Sequence, residues 1–242
     1  MKFDEKWTYV ASVSFGKDSL AMLLLLIEKG YPLDEVVFYN TGMEFECIYK
    51  IRDKVKKILE DKQIPFSEIF PPYDFEYKML EKPIKHRDGS ISKGYGWCGN
   101  KCRWGTRDKT LAIKKHLKKK YFNGYYEYIG IAVDETSRIE NNKNEKKLMP
   151  LVEWNMTEKD CLEFCYKQGF NWEENGVELY SVLDRVSCWC CSNKNLKELN
   201  AYYKFLPEYW DKLKYLQSKI DKPLYNNKKT IFEIEEELKS KG

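Results

Sequence analysis

The sequence predicts an α/β protein: an open parallel sheet with helices on both faces, followed by a mostly helical C-terminal extension. Three observations predict it. Short apolar stretches rich in β-branched residues alternate with helical stretches, the pattern of parallel β-α-β units. The turns that follow the first two strands are rich in glycine, serine, threonine and asparagine. Beyond about residue 157 the strand pattern stops and helical segments take over.

The first strand is Thr8-Tyr-Val-Ala-Ser-Val13, and Leu20 to Ile27 reads as an almost wholly apolar helix, packed on both sides. Between them lies Ser14-Phe15-Gly16-Lys17-Asp18-Ser19. Glycine lets the backbone bend sharply, and the first helical N–H groups point outward with the positive end of the helix dipole behind them. That geometry holds phosphate. Ser14 and Ser19 add hydroxyls and Lys17 adds a positive charge. The stretch is neither the Gly-x-x-x-x-Gly-Lys-Ser/Thr loop nor a dinucleotide Gly-x-Gly-x-x-Gly.

Glu35 to Tyr39 is the second strand, Asn40-Thr41-Gly42 its turn, and Glu44 to Lys62 a helix. Phe66 to Phe70 is a third strand, stopped by Pro71-Pro72. Ligands of such sheets sit beyond the carboxyl ends of the strands, so the turns 14–19 and 40–42 are expected to face one crevice. Asp74 to Thr106 reads as a long glycine-bearing loop carrying Cys98 and Cys102. Arg107 to Tyr121 is a basic helix, Tyr125 to Ile131 a fourth strand, and Asn141 to Lys147 a charged loop. Asn155 or Thr157 caps a helix to about Gln168, and further helices cover 196–205, 207–220 and 230–239. The domain expectation is a nucleotide-binding α/β domain over 1–156 with the Cys-bearing insertion at about 74–106, and a helical region over 157–242 carrying Cys188 to Cys191.

The 242 residues include 33% charged and 15% aromatic side chains, which fits a folded chain with one substantial core and an appendage. A net charge of +4 permits a polyanionic partner without requiring one. The N-terminal stretch has no apolar signal-like run, and the longest apolar run is too short to span a bilayer. The expected location is therefore cytoplasmic, with no membrane partner. There, eight cysteines point to metal or redox chemistry rather than disulfides. Cys98-x-x-x-Cys102 and Cys188-x-x-Cys191, two close pairs far apart, are how four-thiolate zinc and iron–sulfur sites are assembled. Cys190 is extra; Cys47, Cys161 and Cys165 read as core. Lys101, Arg103 and Arg107 are placed to offset thiolate charge, with Trp97, Trp104 and Trp189 as shielding. Only His86 and His116 occur, so carboxylates, lysine, metal and thiolate must carry any catalysis. The run Lys114 to Lys120 reads as a solvated helix face or a surface for nucleic-acid phosphates.

The loop Ser14–Ser19 resembles the pyrophosphate loop of the adenine-nucleotide α-hydrolase superfamily, in its phosphoadenosine phosphosulfate (PAPS) reductase branch. Phe15 replaces part of the usual Gly-Gly pair. Asn40-Thr41-Gly42 resembles the branch's Asp/Asn-Thr-Gly segment beside the adenosine. Gly130-Ile-Ala-Val-Asp134-Glu135-Thr-Ser-Arg138 resembles its Gly-Ile-Ala-x-Asp-Glu-x-x-Arg form, with Ala132 where the reductase form has arginine. Pro150-Leu-x-x-Trp154 and the cysteine pairs follow in family order, so the resemblance covers residues 8 to 191. It implies a Rossmann-like fold and an adenine nucleotide, ATP or PAPS/APS, on Ser14, Gly16, Lys17, Asp18, Ser19, Asn40, Thr41, Gly42, Gly130 and Arg138. Lys17, Asp18, Asp134 and Glu135 are the candidate catalytic set; Asp134 or Glu135 is placed to bind Mg²⁺ with the nucleotide phosphates or to tie down Arg138. Cys98, Cys102, Cys188 and Cys191 would hold a [4Fe–4S] cluster, with Zn²⁺ as the alternative.

Two reactions fit the branch. One cleaves ATP between the α- and β-phosphates, adenylating an acceptor such as tRNA or DNA for sulfur transfer. The other reduces a sulfonucleotide; family reductases use a cysteine in a Glu-Cys-Gly-x-His tail, and no cysteine follows Cys191 here. The adenylating reading is preferred. It implies a sulfur or electron donor protein as partner. A nucleotide- or nucleic-acid-binding module with structural zinc is a third reading, and the oligomeric state is left open.

Overall fold

A computed structural model describes residues 3–4, 6–98, 102–225 and 228–240, with the side chain of Trp104 excepted. Gly99 and Lys101 therefore lie outside the described residues. The fold is the Rossmann-like α/β architecture that the alternation predicts. Five parallel strands form the sheet: β1 (Thr8–Val13), β2 (Glu35–Tyr39), β3 (Phe66–Ile69), β6 (Tyr125–Ile129) and β7 (Lys147–Leu148), in the order β3-β2-β1-β6-β7. Between β3 and β6 the chain makes β4 (Pro83–Lys85) and β5 (Ile91–Lys93), an antiparallel ribbon outside that sheet. The ribbon and two π-helical turns, Tyr77–Glu81 and Arg103–Arg107, replace the expected loop over 74–106. Their strands are three residues long, too short to show a periodicity.

Helix α1 (Lys17–Glu28) crosses from β1 to β2, α2 (Glu46–Asp61) from β2 to β3, and α3 (Asp108–Lys120) leads into β6. After β6 come α4 (Thr136–Asn141), β7, α5 (Pro150–Glu153) and α6 (Glu158–Lys167), which packs on α1. Every residue of β2 is buried, so it has no water-facing side, and its run of Val36, Val37, Phe38 and Tyr39 reads as continuous rather than alternating. Ile113 and Leu117 of α3 pack on Val10, Val37 and Tyr39. Full burial of each such aliphatic contributes about 1.5–3 kcal/mol.

The sequence drew one boundary at 156/157. By compactness the chain groups into two units, each made of separate stretches of sequence. The sheet unit holds residues up to Asn40, Glu46–Phe70 and Leu111–Asn171. The second unit collects Thr41–Phe45, Pro71–Thr110 and the chain from Trp172. It contains the ribbon, a small hairpin of β8 (Glu173–Glu174) and β9 (Val177–Glu178), and helices α7 (Leu179–Val182), α8 (Leu196–Phe205), α9 (Pro207–Gln217) and α10 (Ile231–Lys239).

The basic helix splits by function. His116 Nε2 and Lys120 Nζ each lie 3.0 Å from Oε1 of Glu35, which is wholly buried and also accepts from Ser67 Oγ at 2.5 Å. Lys114, Lys115, Lys118 and Lys119 stay exposed.

Phe15 shows why a bulky residue sits in a tight turn. Its φ is +59°, a strained left-handed value for a side chain with a Cβ. The ring is fully buried, 4.9 Å from Phe38 and 6.3 Å from Phe66. It packs beneath the loop, as part of the core. Phe15→Ala is expected to cost about 3–5 kcal/mol by lost packing while keeping the strain. Phe15→Gly removes the strain, so it should be at least as stable as Phe15→Ala, the reverse of the ordinary order. Chemical denaturation of both variants measures this.

Candidate functional site

In the sheet unit, the chain runs outward from β1 through β2 to β3, then returns to β6 on the other side of β1. Ligand crevices form at such a reversal, outside the carboxyl ends of the two central strands. The loop 14–19 follows β1, and Gly130 to Glu135 follows β6.

The loop is held in shape by its own serines. Ser19 Oγ accepts from Ser14 N at 3.1 Å, lies 3.2 Å from Ser14 Oγ, and donates to Gly16 O at 3.1 Å. Gly16 is the N-cap of α1 in extended conformation and supplies no side-chain cap. The first helical turn therefore receives no cap from a Gly16 side chain. Gly130 fixes the position of this turn. A Cβ there would come within 2.6 Å of Ser19 Cα and 2.8 Å of Ser19 N, both backbone atoms. Only glycine lets the end of β6 pass this close to the start of α1.

Three carboxylates converge at the same place. Asp18, Glu135 and Glu158 each offer an oxygen within 4.8 Å of the others. Lys17 Nζ lies 3.2 Å from Asp18 Oδ2 and 3.3 Å from Glu158 Oε1. Glu135 accepts from Ala132 N at 3.1 Å and pairs with Arg138. Asp18 Oδ1 is buried and has no hydrogen-bond partner among the described residues. Burial raises the Asp18 carboxyl to about 6; Lys17 opposes the rise, and the charges of Glu158 and Glu135 add to it. Asp134 stands apart: its exposed carboxylate accepts from Glu158 N at 3.1 Å, at the start of α6. Asn40 is 7% exposed and already engaged, donating to Glu68 Oε1 at 2.8 Å and accepting from Tyr49 OH at 3.2 Å. Cys165, fully buried in α6, donates to Lys17 O at 3.4 Å; Cys161 and Cys47 are also buried.

The second unit holds the other predicted group. Thr41 Oγ1 accepts from Met43 N at 3.1 Å and donates to Glu44 Oε1 at 2.9 Å. Glu44 Oε1 also accepts from Cys188 Sγ at 3.6 Å, and Trp189 N donates to Met43 O at 3.0 Å. Segment 41–45 is thereby knitted to the Cys-Trp-Cys-Cys turn, and Gly42 is exposed with φ +76°. Cys102 Sγ accepts from Gly105 N at 3.1 Å and Thr106 N at 3.2 Å. Ser192 Oγ donates to Cys98 O at 2.7 Å, bringing the two cysteine turns together. All eight cysteines are free thiols. Burial pushes the Cys188 and Cys190 thiols well up, and the Cys102 thiol up against its two amide donors.

Three features of this unit suit an anionic, thiolate-bound group. Gly105 leaves room for sulfur, since a Cβ there would sit 2.6 Å from Cys102 Sγ. The indole Nε1 of Trp97, 1% exposed, has no hydrogen-bond partner among the described residues. Two lysines are buried at 3% exposure within electrostatic reach of the cysteines: Lys78, paired with Asp108, near Cys102 and Cys98, and Lys194 near Cys191 and Cys188. Among the described residues no three thiols come within 4.8 Å of one another. Arg103 and Arg107, expected beside the thiolates, are exposed, Arg103 over the Tyr95 ring at 5.5 Å.

Sequence reasoning missed Glu158, Glu44, Lys78 and Lys194. Glu158 follows Pro150-Leu-x-x-Trp154 by four residues, Lys194 follows Cys191 by three and Glu44 follows Gly42 by two, so proximity to a motif was an available signal. Lys78 had none.

Asp18 carries a stability consequence. Its folded-state value near 6 exceeds the ordinary 3.8, so the group favours folding at low pH and loses that contribution as pH rises from about 4 to about 6. At pH 7 it costs up to about 3 kcal/mol. Asp18→Asn should therefore stabilise the protein at pH 7 by up to that amount, with the gap closing by pH 4. Denaturation at both pH values checks the sign.

Residues 8–192 match the family described as the phosphoadenosine phosphosulfate reductase domain. An uncharacterized protein of Methanocaldococcus jannaschii is 27% identical over 221 residues, covering 84% of this chain and 40% of that protein. The chain thus spans about two fifths of the length of that curated relative. Among solved structures, the U34-tRNA thiolase NcsA from Methanococcus maripaludis with its [4Fe-4S] cluster aligns with a TM-score of 0.46 at 15% identity, over 96% of this chain and 72% of that one. No helix among the described residues is long and apolar enough to cross a membrane. With the family's domain matched from the first strand to just past the last cysteine, the chain belongs to the phosphoadenosine phosphosulfate reductase domain family.

Proposed function

We propose that the protein binds ATP with Mg²⁺ at the loop 14–19 and cleaves it between the α- and β-phosphates, adenylating a nucleic-acid acceptor for sulfur transfer. The carboxylate triad carries this reading. Asp18, Glu135 and Glu158 surround the start of α1, with Lys17 already paired to two of them. A bare anionic nucleotide meets net repulsion there. A divalent cation reverses the local charge, because hard carboxylate oxygens and phosphate oxygens share it. A sulfonucleotide taken up without metal gains nothing from the triad.

Each residue then has a task. Ser14, Ser19 and the first N–H groups of α1 cradle the phosphates. Lys17 exchanges its carboxylate partners for phosphate oxygen and stabilises charge developing on the leaving pyrophosphate. Asp18, Glu135 and Glu158 hold the cation, which acts as a Lewis acid when bound. Asp134 orders the start of α6 and so the position of Glu158. An acceptor oxygen forms the new bond to the α-phosphorus as the α–β bridging bond breaks; pyrophosphate leaves with the electron pair, and the acceptor's proton passes to solvent. A sulfur nucleophile, from a donor protein, later displaces AMP.

Cys98, Cys102, Cys188 and Cys191 would hold a [4Fe–4S] cluster, which when bound supplies sulfide or electron-transfer chemistry. Lys78 and Lys194 offset its negative charge. Zinc, with Zn–S near 2.3 Å, needs sulfurs roughly 3.8 Å apart. Among the described residues no three thiols lie within 4.8 Å of one another. The exposed lysines 114, 115, 118 and 119 of α3 support a polyanionic acceptor such as tRNA or DNA.

Magnesium-dependent exchange of labelled pyrophosphate into ATP, with tRNA or DNA present, tests the reaction. Glu158→Gln and Lys17→Ala should each lower it by about tenfold or more, the worth of one charged contact. ATP binding that ignores Mg²⁺ would overturn the cation assignment. The family itself supports sulfonucleotide reduction as a second reading; sulfite release from PAPS with a thiol donor, and no exchange, would select it. Failure of both leaves a binding module.

Anaerobic purification should give a brown protein with about four irons per chain. Cys102→Ala should lose most of the iron and colour. A colourless protein with one zinc would instead select the structural-zinc site.

A further inference from the structure

The β4–β5 ribbon is absorbed by none of the chemistry above. It belongs to the same unit as the four cysteines, and Lys93 at its end precedes Cys98 by one short turn. Every residue from Lys85 to Lys93 is exposed, Ile91 by 71%. Register places Pro83 opposite Lys93, and Lys85 opposite Ile91, so these four share one face of the ribbon. Lys85 and Lys93 are diagonal neighbours there, about 7–8 Å apart. That is comparable to the step between neighbouring phosphates on one nucleic-acid strand. Arg87 extends the charge at the turn, while Asp88 is spent on the turn itself, accepting from Ser90 N and Oγ. Lys85, Arg87 and Lys93 have no ion-pair partner among the described residues, whereas Lys143, Lys197 and Lys239 are examples of exposed lysines that do.

A two-stranded ribbon this short is marginal unless something holds it. Here its base is pinned. Gly94 (φ +60°) sits so close to the first π-helical turn that a Cβ would overlap Met79 O. Gly94 N donates to Lys82 O, Tyr95 N to Lys78 O and Gly96 N to Met79 O. The ribbon is therefore tied, backbone to backbone, to the turn that carries the buried Lys78 beside Cys98 and Cys102.

We infer that the β4–β5 ribbon is a nucleic-acid-binding arm, its Lys85, Arg87 and Lys93 gripping acceptor phosphates next to the cysteine centre while Ile91 lies against sugar or base. The inference rests on the reading of the acceptor as nucleic acid. Charge complementarity favours that partner over a membrane, since the face offers only Pro83 and Ile91 as apolar surface.

Fluorescence anisotropy of a labelled RNA stem-loop, a DNA duplex of matching sequence and phosphatidylglycerol vesicles, across a salt series, tests it on the full chain. Replacing Lys85, Arg87 and Lys93 together by alanine should weaken binding of the preferred nucleic acid by at least about tenfold. The log–log salt slope should fall by about 2 to 3, as expected for three lost phosphate contacts. The Lys85→Arg/Lys93→Arg variant should keep both. Circular dichroism and iron content unchanged in the alanine variant exclude misfolding. If the wild type binds nucleic acid and the alanine variant binds equally well, the arm is wrong and the acceptor reading survives. If the variant instead self-associates at unchanged affinity, the charges serve only to protect the ribbon's edges, and the inference fails. If no nucleic acid binds, or vesicles alone do, the arm and the nucleic-acid acceptor both fail, while Mg²⁺-dependent pyrophosphate exchange still judges the ATP site.

Discussion

The passage of β6 over the first turn of α1 at Gly130 is the contact on which the sheet unit's candidate site depends. It is backbone against backbone, with no side chain to yield. Because the strand end is fixed there, Glu135 arrives beside Asp18, and α6, packed along α1, brings Glu158 to the same point. Three negative charges are then forced together around one lysine. Burial above all, with a smaller contribution from the neighbouring carboxylates, raises the Asp18 carboxyl, so its charged form is unfavourable to the fold. Strained or destabilised groups of this kind are tolerated where binding repays them.

The cysteine unit solves a related problem with the opposite sign. Two ammonium groups, Lys78 and Lys194, are buried within electrostatic reach of the thiols, with Asp108 and Glu198 as their respective carboxylate neighbours, and an indole N–H has no acceptor among the described residues. The sheet unit gathers three carboxylates at its site, and the cysteine unit places two buried lysines near its thiols. On the function proposed above, the first gathering suits a cation with its nucleotide and the second a negatively charged assembly of sulfur ligands.

Much of this was legible in the sequence, and for a physical reason. The loop 14–19, the strand ends and the capped helices are local features, written in consecutive residues. Thr157 and Asp160, for instance, form a reciprocal cap within four positions. The basic helix was legible as a helix, but not the engagement of His116 and Lys120 with the buried Glu35, which lies 81 positions away from His116. The ribbon was read as loop because three-residue strands carry no pattern. The boundary at 156/157 assumed contiguous units, whereas Thr41–Phe45 is held by hydrogen bonds to residues near 188, a relation no local window contains. Lys78 was invisible for the same reason: a buried lysine and an exposed one are written with the same letter.

Phe15 links the loop to the core in a way that constrains descent. Its backbone takes the shape a glycine would take, while its ring occupies volume between Phe38 and Phe66. A chain with glycine at this position needs bulk from elsewhere to fill that volume, and enlarging Phe38 or Phe66 is the nearest source. Positions 15, 38 and 66 should consequently covary among relatives, a small ring at one being matched by a larger group at another. The turn is thus inherited together with the floor beneath it.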